Sequence, residues 1–184
     1  MVRNVALILG HIGGEEAVGP LSRQLRHQDH RVRREVVLAL GRIGSPKASS
    51  PLLEVLQDQD PVACQYAISA LGSLKEKKAV PALIEIARAA PKDLELQQAA
   101  IAALGRIGGE EALHTLVDLL KRRSFLSKAA HEEVRAQAAA ALGVLGTEEA
   151  LEALRAEVER SSGKVLKACR GALEKLLRAG AKRE

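Results

Sequence analysis

Aromatic residues are nearly missing from this chain: Tyr66 and Phe125 are the only two in 184 residues, and there is no tryptophan. Sheets favour aromatic and β-branched residues, so a core of Leu, Ile, Val and Ala suits close-packed helices instead. Cysteine is scarce too. Cys64 and Cys169 stand far apart with no CxxC spacing, which points to reduced, structural thiols and against a disulfide framework or a zinc site. No apolar run approaches the ~18 residues of a membrane span. The apolar stretch Val5 to Ile12 resembles a signal-peptide core, but Gly13-Gly14-Glu15-Glu16 follows it where a small-residue cleavage site belongs. A cytoplasmic protein is expected.

Net charge is also missing from most of the chain. The net charge is +5, and residues 164–184 supply it: Lys164, Lys167, Arg170, Lys175, Arg178, Lys182 and Arg183 stand against Glu174 and Glu184. The remainder is balanced. A basic isoelectric point is therefore weak evidence for nucleic acid along the whole surface.

What the chain has is repetition. Leu-Gly recurs at Leu9-Gly10, Leu40-Gly41, Leu71-Gly72, Leu104-Gly105 and Leu142-Gly143, with glycines 31, 31, 33 and 38 residues apart. A period of this size marks stacked two-helix units, none able to bury its apolar face alone. In the second copy Val32, Val36, Ala39, Leu40 and Ile43 form one stripe of a helix. Gly44-Ser45-Pro46 stops it, and Ala48, Leu52, Val55 and Leu56 form the stripe of a second helix. Asp60 is placed to cap the next helix, with Pro61 at its first position.

The template predicts first helices near 2–12, 31–43, 61–74, 94–107 and 131–145. Second helices are predicted near 15–27, 46–57, 77–89, 110–122 and 148–160. The register glycine costs about 1 kcal/mol against alanine inside a helix, so its recurrence implies a close approach, either within a pair or between adjacent pairs. Val165, Cys169, Leu173 and Leu176 repeat the first-helix stripe once more, but Glu174 takes the glycine place and no second helix follows. That is how a terminal cap reads. At the other end, Val5-Ala6-Leu7-Ile8-Leu9 is apolar nearly all round, as an internal helix is. The chain therefore reads as the C-terminal part of a longer array, or as one that self-associates or docks on another subunit through this uncapped helix.

The unit resembles the short HEAT repeat of the phycobilisome-lyase type. The resemblance rests on Val32-Arg33 with Ala39-Leu40-Gly41-Arg42-Ile43-Gly44, on Ala103 to Gly108 with Glu110-Glu111-Ala112-Leu113, and on Val134-Arg135 with Ala141-Leu142-Gly143. The Trp/Tyr-containing tetratricopeptide and T-P-L-H ankyrin signatures are missing. The expected fold is all-α, a right-handed α-solenoid with an armadillo-type fold. It is expected to form a single domain over 1–184 with five two-helix repeats at 1–29, 30–60, 61–92, 93–130 and 131–162, and a capping helix over 163–179.

Three surfaces are candidates for a partner. The outward position of the second helices carries Arg23, Glu54, Glu85 and Asp118, followed three residues later by Arg26, Gln57, Arg88 and Lys121. The resemblance implies that second helices line a concave groove, here charged and poor in aromatics; mutual pairing of solvated charges is the plainer alternative. The outer side of the first helices is assigned Ile8, Leu38 and Ile68, then Ala102 and Ala140. These form an apolar docking ridge, or are covered where neighbouring helices crowd together. The longest spacing leaves an extended loop over 121–133, where Phe125-Leu126 sits beside Arg122, Arg123 and Lys128. It reaches a partner or tucks back onto the core.

Catalysis finds little support. His11, His27, His30, His114 and His131 are scattered, and the positions where a HEAT-type di-iron hydroxylase carries His-Glu pairs hold Asn4-Val5, Arg34-Glu35, Cys64-Gln65, Gln98-Ala99 and Ala136-Gln137. HEAT-like DNA glycosylases use aromatic residues in a basic groove, which this chain lacks. Glu110-Glu111 and Glu148-Glu149 open second helices, where carboxylates complement the helix dipole. No phosphate loop or nucleophile elbow is present. The expected function is a non-catalytic scaffold binding another protein, with no catalytic, cofactor or metal residues. The resemblance also raises a bilin-chromophore lyase or its partner subunit, and the basic last helix raises contact with an anionic polymer or membrane.

Overall fold

The computed structural model describes residues 1–89, 93–122 and 128–180, and no strand occurs among them. The chain divides into two compact units, Met1–Ala82 and Leu83–Glu184.

In the first unit, α1 (Val2–Ile12) leads through a short 3-10 turn into α2 (Val18–Arg23). Then come α3 (His30–Ile43), α4 (Ser49–Val55) and α5 (Pro61–Ser73), and α6 (Val80–Arg88) runs across the division. The first helices pack in series, α1 on α3 and α3 on α5, while α2 lies against α3 and α4 against α5. The second helices here open with one 3-10 turn each, at Glu15–Ala17, Pro46–Ala48 and Lys77–Ala79. Uniform α-helix was expected over those residues. The tighter turn brings Ala17, Ala48 and Ala79 into the core at the helix entry.

The second unit repeats the plan. α7 (Leu94–Ile107) packs on α9 (Lys128–Leu145), and α9 on α11 (Gly163–Gly180). α8 (Glu110–Lys121) and α10 (Glu148–Val158) are the second helices, and they touch each other as well as α9. Helix bounds match the periodicity closely, except that α9 begins three residues before the expected 131.

Helix entries are capped by side chains, Asp60 among them as expected. The Asp29 carboxylate accepts from the Arg31 amide at 2.9 Å, Asp93 from Leu96 at 3.0 Å and Thr147 from Ala150 at 3.2 Å. Asp60 accepts from Val62 at 3.3 Å, with Pro61 at the first helical position. First helices exit through Gly44 (φ 66°), Gly108 (φ 75°) and Gly146 (φ 66°), where the left-handed turn suits glycine. The corresponding residue after α5 is Lys75, at φ 54°.

The register glycine has its reason in contacts between adjacent repeats, not within a pair. A Cβ built on Gly10 would lie 2.7 Å from the Ala39 Cα, one on Gly41 3.1 Å from the Ala70 Cβ, and one on Gly143 2.7 Å from the Ala172 Cβ. A Cβ on Gly105 would lie 2.8 Å from both the Cβ and the backbone oxygen of Ala141. Each glycine thus admits the alanine two residues before the next register position, and successive first helices lie backbone against backbone. Cys64 and Cys169 are both free and buried. Burial pushes the Cys169 thiol up to about 11.

Candidate protein-binding surface

With the first helices packed in series, each second helix keeps one side against them and one in solvent. On α4 Leu52 and Val55 are buried, whereas Glu54 and, just past the helix end, Gln57 are exposed. On α8 Leu116, Leu119 and Leu120 are buried, whereas Asp118 and Lys121 are exposed. Arg23, Glu85 and Arg88 are exposed in the same way.

The two charged rows pair diagonally across repeats. In the first unit Arg26 reaches the Glu54 carboxylate at 3.5 Å. In the second, Arg88 reaches Asp118 at 3.3 Å. Both pairs are well exposed, so each is worth about 0.5 kcal/mol or less. They set side-chain positions more than stability. In the next repeat the place of Glu54 and Asp118 is taken by Ala156, which carries no charge. Lys121 and Arg122 therefore stand as added cations beside the Arg88–Asp118 pair, and together with Leu119 these residues line one shallow recess. A second recess in the first unit is lined by Arg26, His27, Gln28, Gln57, Asp58 and Gln59, among others. Towards the helix entries, Lys47 lies 2.5 Å from Glu15 and its hydrogen bond holds that carboxyl below the usual range. His114 lies 3.7 Å from Glu149.

Beneath this face lies a device that periodicity did not reveal. From the second repeat to the fifth, the residue eight before the register glycine donates to the carbonyls that close the preceding second helix. Arg33 Nη1 donates to the carbonyls of His27 (2.9 Å) and Gln28 (3.1 Å), and Cys64 Sγ to those of Val55 (3.3 Å) and Asp58 (3.2 Å). Gln97 Nε2 donates to the carbonyls of Ala87 (2.8 Å) and Ala89 (3.2 Å), and Arg135 Nε to that of Leu120 (2.8 Å). Helix ends leave such carbonyls without partners, and a buried one is costly. Where the donor is arginine, its other nitrogens take an acid from the same repeat. Arg33 grips Asp58 through two bonds of 2.7 and 2.8 Å, and Arg135 pairs with Glu157 and with Ser161 at 2.9 Å. Arg34 likewise grips Asp60 at 2.6 and 2.7 Å. Hydrogen bonds from Arg33 and Arg34 hold the Asp58 and Asp60 carboxyls below their ordinary values. The signal lies in the sequence: in the second to fifth repeats Arg33, Cys64, Gln97 and Arg135 are all donors.

The apolar ridge needs correction. Ile8 is 54% exposed, Leu38 is half-buried and Ile68 is fully buried. The three do not share a register: they lie two, three and four residues before Gly10, Gly41 and Gly72. Four before is an inward place, held also by Val37, Ile101 and Ala139, all fully buried. Phe125 and Leu126 lie outside the described residues. Among the described residues, no cluster of His, Cys, Asp or Glu is placed to hold a metal ion, and no helix is long and apolar enough to cross a membrane.

The family profile for HEAT repeats matches residues 2–63 and 49–130. The chain belongs to the HEAT repeat family. A further profile, the PBS lyase HEAT-like repeat, matches residues 134–159. Among solved structures, the chain is similar to the complex of CpcE and CpcF of phycocyanin lyase from Nostoc sp. PCC7120, at 19% identity over 85% of this chain and 98% of that one (TM-score 0.64). It is also similar to a designed armadillo repeat protein in complex with the peptide (KR)4, at 22% identity over 95% and 91% (TM-score 0.56), and to an engineered protein at 21% over 96% and 90% (TM-score 0.57). These likenesses establish an all-α solenoid-class fold of HEAT repeats. No curated protein matches the chain.

Proposed function

We propose that this HEAT repeat protein is a non-catalytic scaffold that holds another protein against the solvent side of its second helices. The observation that carries the reading is the exposed charged row on those helices. Its pairs, Arg26–Glu54 and Arg88–Asp118, are too exposed to serve stability, and they stand on a closely packed base of first helices. Charges fixed in position on rigid elements confer specificity and steer association more than they add raw affinity. The designed armadillo protein of similar fold holds a charged peptide, which supports a binding role for such a face by analogy of fold.

The test is affinity enrichment from the native source with wild-type protein, a Glu54→Lys/Asp118→Lys variant, and a Leu177→Glu variant that alters α11 instead. A protein recovered by wild type and Leu177→Glu, and lost with the charge reversal, supports the reading. Equal recovery by all three overturns it. The lyase alternative makes a separate demand: a bilin mixed with the protein must show a shifted absorption band, and the scaffold reading expects none.

A further inference from the structure

Exposed large apolar side chains concentrate on α1 and its capping residue Met1. Among the described residues, Met1, Val2, Val5, Leu7, Ile8 and Ile12 are exposed, against only Val144 and Leu177 elsewhere. The opposite face of α1 is already used, since Ala6 and Gly10 are buried and α1 packs on α3. The residues in register with Val5 are Val36, Ala67, Ala100 and Ala138, all fully buried, whereas Val5 is 48% exposed. The face that is covered in every other first helix is open here. Such a contiguous apolar strip marks a contact surface.

Residue types on the strip select its occupant. Another repeat stacking here would bring its register glycine against residue 8, the place held by Ala39, Ala70, Ala141 and Ala172 in the glycine contacts. Ile8 fills the space that those alanines leave. Head-to-tail stacking of two copies fails for a second reason: on α11 the glycine place is Glu174, exposed, with Lys167 and Arg170 beside it. Pressing that carboxylate onto Ile8 would bury a charge without a partner.

A two-fold contact has neither fault. Met1, Val5, Ile8 and Ile12 are spaced four, three and four residues apart, the narrow seam through which two helices pair side by side. The spacing reads the same from either end, so in an antiparallel pair Val5 meets Ile8 and Met1 meets Ile12. Self-complementarity of this kind is what an isologous interface requires. Charge favours the same direction. Arg3 is the one formally charged residue on α1, and Glu15 and Glu16 follow its far end. An antiparallel pair sets Arg3 towards acidic residues, while a parallel pair would set it beside another Arg3.

We infer that α1 pairs antiparallel with α1 of a second copy of this chain. The contact uses a surface that the proposed function leaves alone, so either can fail without the other. Sedimentation equilibrium of the full chain over a concentration series tests it, with Ile8→Glu and Val5→Gln as seam variants and Leu177→Glu as the control. The account expects a monomer–dimer equilibrium whose dissociation constant rises at least about tenfold in Ile8→Glu, the loss typical of removing a central apolar anchor. A smaller rise is expected in Val5→Gln and no change in Leu177→Glu, with circular dichroism the same in all. A wild-type monomer at every concentration, growth beyond the dimer, or an Ile8→Glu dimer as tight as wild type would each overturn it.

Discussion

Replacing glycine by alanine in this protein should change stability in opposite directions at two sites of the second unit. Both Gly105 and Gly171 lie inside helices, α7 and α11, so alanine gains about 0.8–1 kcal/mol of helix propensity at either. At Gly171 nothing lies within 4 Å of the added Cβ, so the gain is kept. At Gly105 the new carbon would meet the Ala141 Cβ and backbone oxygen at 2.8 Å and its Cα at 2.9 Å. Carbon atoms prefer about 3.5–4 Å, so α9 must retreat by close to an ångström, and backbone cannot swing aside as a side-chain tip can. Overpacking of this kind costs about 1–3 kcal/mol. Gly105→Ala should therefore lose up to about 2 kcal/mol net. The propensity gain is common to both, so the two variants are separated by the overpacking cost, about 1–3 kcal/mol, or roughly 1 M in urea midpoint. Urea denaturation followed by circular dichroism measures the difference. If Gly105→Ala is as stable as Gly171→Ala, the backbone-against-backbone stacking of first helices is wrong.

Lys75 holds the left-handed exit of α5 at φ 54°, so Lys75→Gly should raise stability by about 1 kcal/mol, read from the same urea midpoint. Arg135→Met strips Glu157 of a buried cationic partner and should cost about 3 kcal/mol. Asp58 and Asp60 have folded-state values below their unfolded ones, so their bonds to Arg33 and Arg34 contribute fully above about pH 4 and fade as pH falls through the folded values. The melting-temperature gap between wild type and Arg33→Met should accordingly be constant near neutrality and narrow in acid; a gap that widens in acid would contradict the pairing. Cys64 and Cys169 should label with a thiol reagent only after unfolding, because both are buried and burial raises both thiols.

The helix plan was legible because its signals are local and repeated. Asp60 caps where expected and Gly44 closes where expected, and Asp29, Thr147 and Gly108 do the same work in other repeats. The glycine period pointed to close packing, but two helix neighbours were available, and only coordinates place Ala39, Ala141 and Ala172 opposite. Of the two readings of the outer ridge, Ile68 follows the covered one and Ile8 the exposed one, because packing follows the glycine and not the helix start. Alignment on the glycine puts Ile68 with Val37 and Ile101, all fully buried. The carbonyl-capping position escaped because arginine, cysteine and glutamine look unrelated by residue type. What they share is a donor, and that becomes a pattern only when the acceptor carbonyls are seen. The charged rows were legible as rows, but not their diagonal pairing, which depends on the offset between neighbouring second helices.

The central claim is that stacked first helices form the base and second helices present the working face. Amide hydrogen exchange on the protein with and without its captured partner tests this most directly. The account predicts added protection on second helices, at α4 around Glu54 or at α8 around Asp118 and Lys121, with α3 and α7 unchanged. Protection confined to the first helices would contradict it.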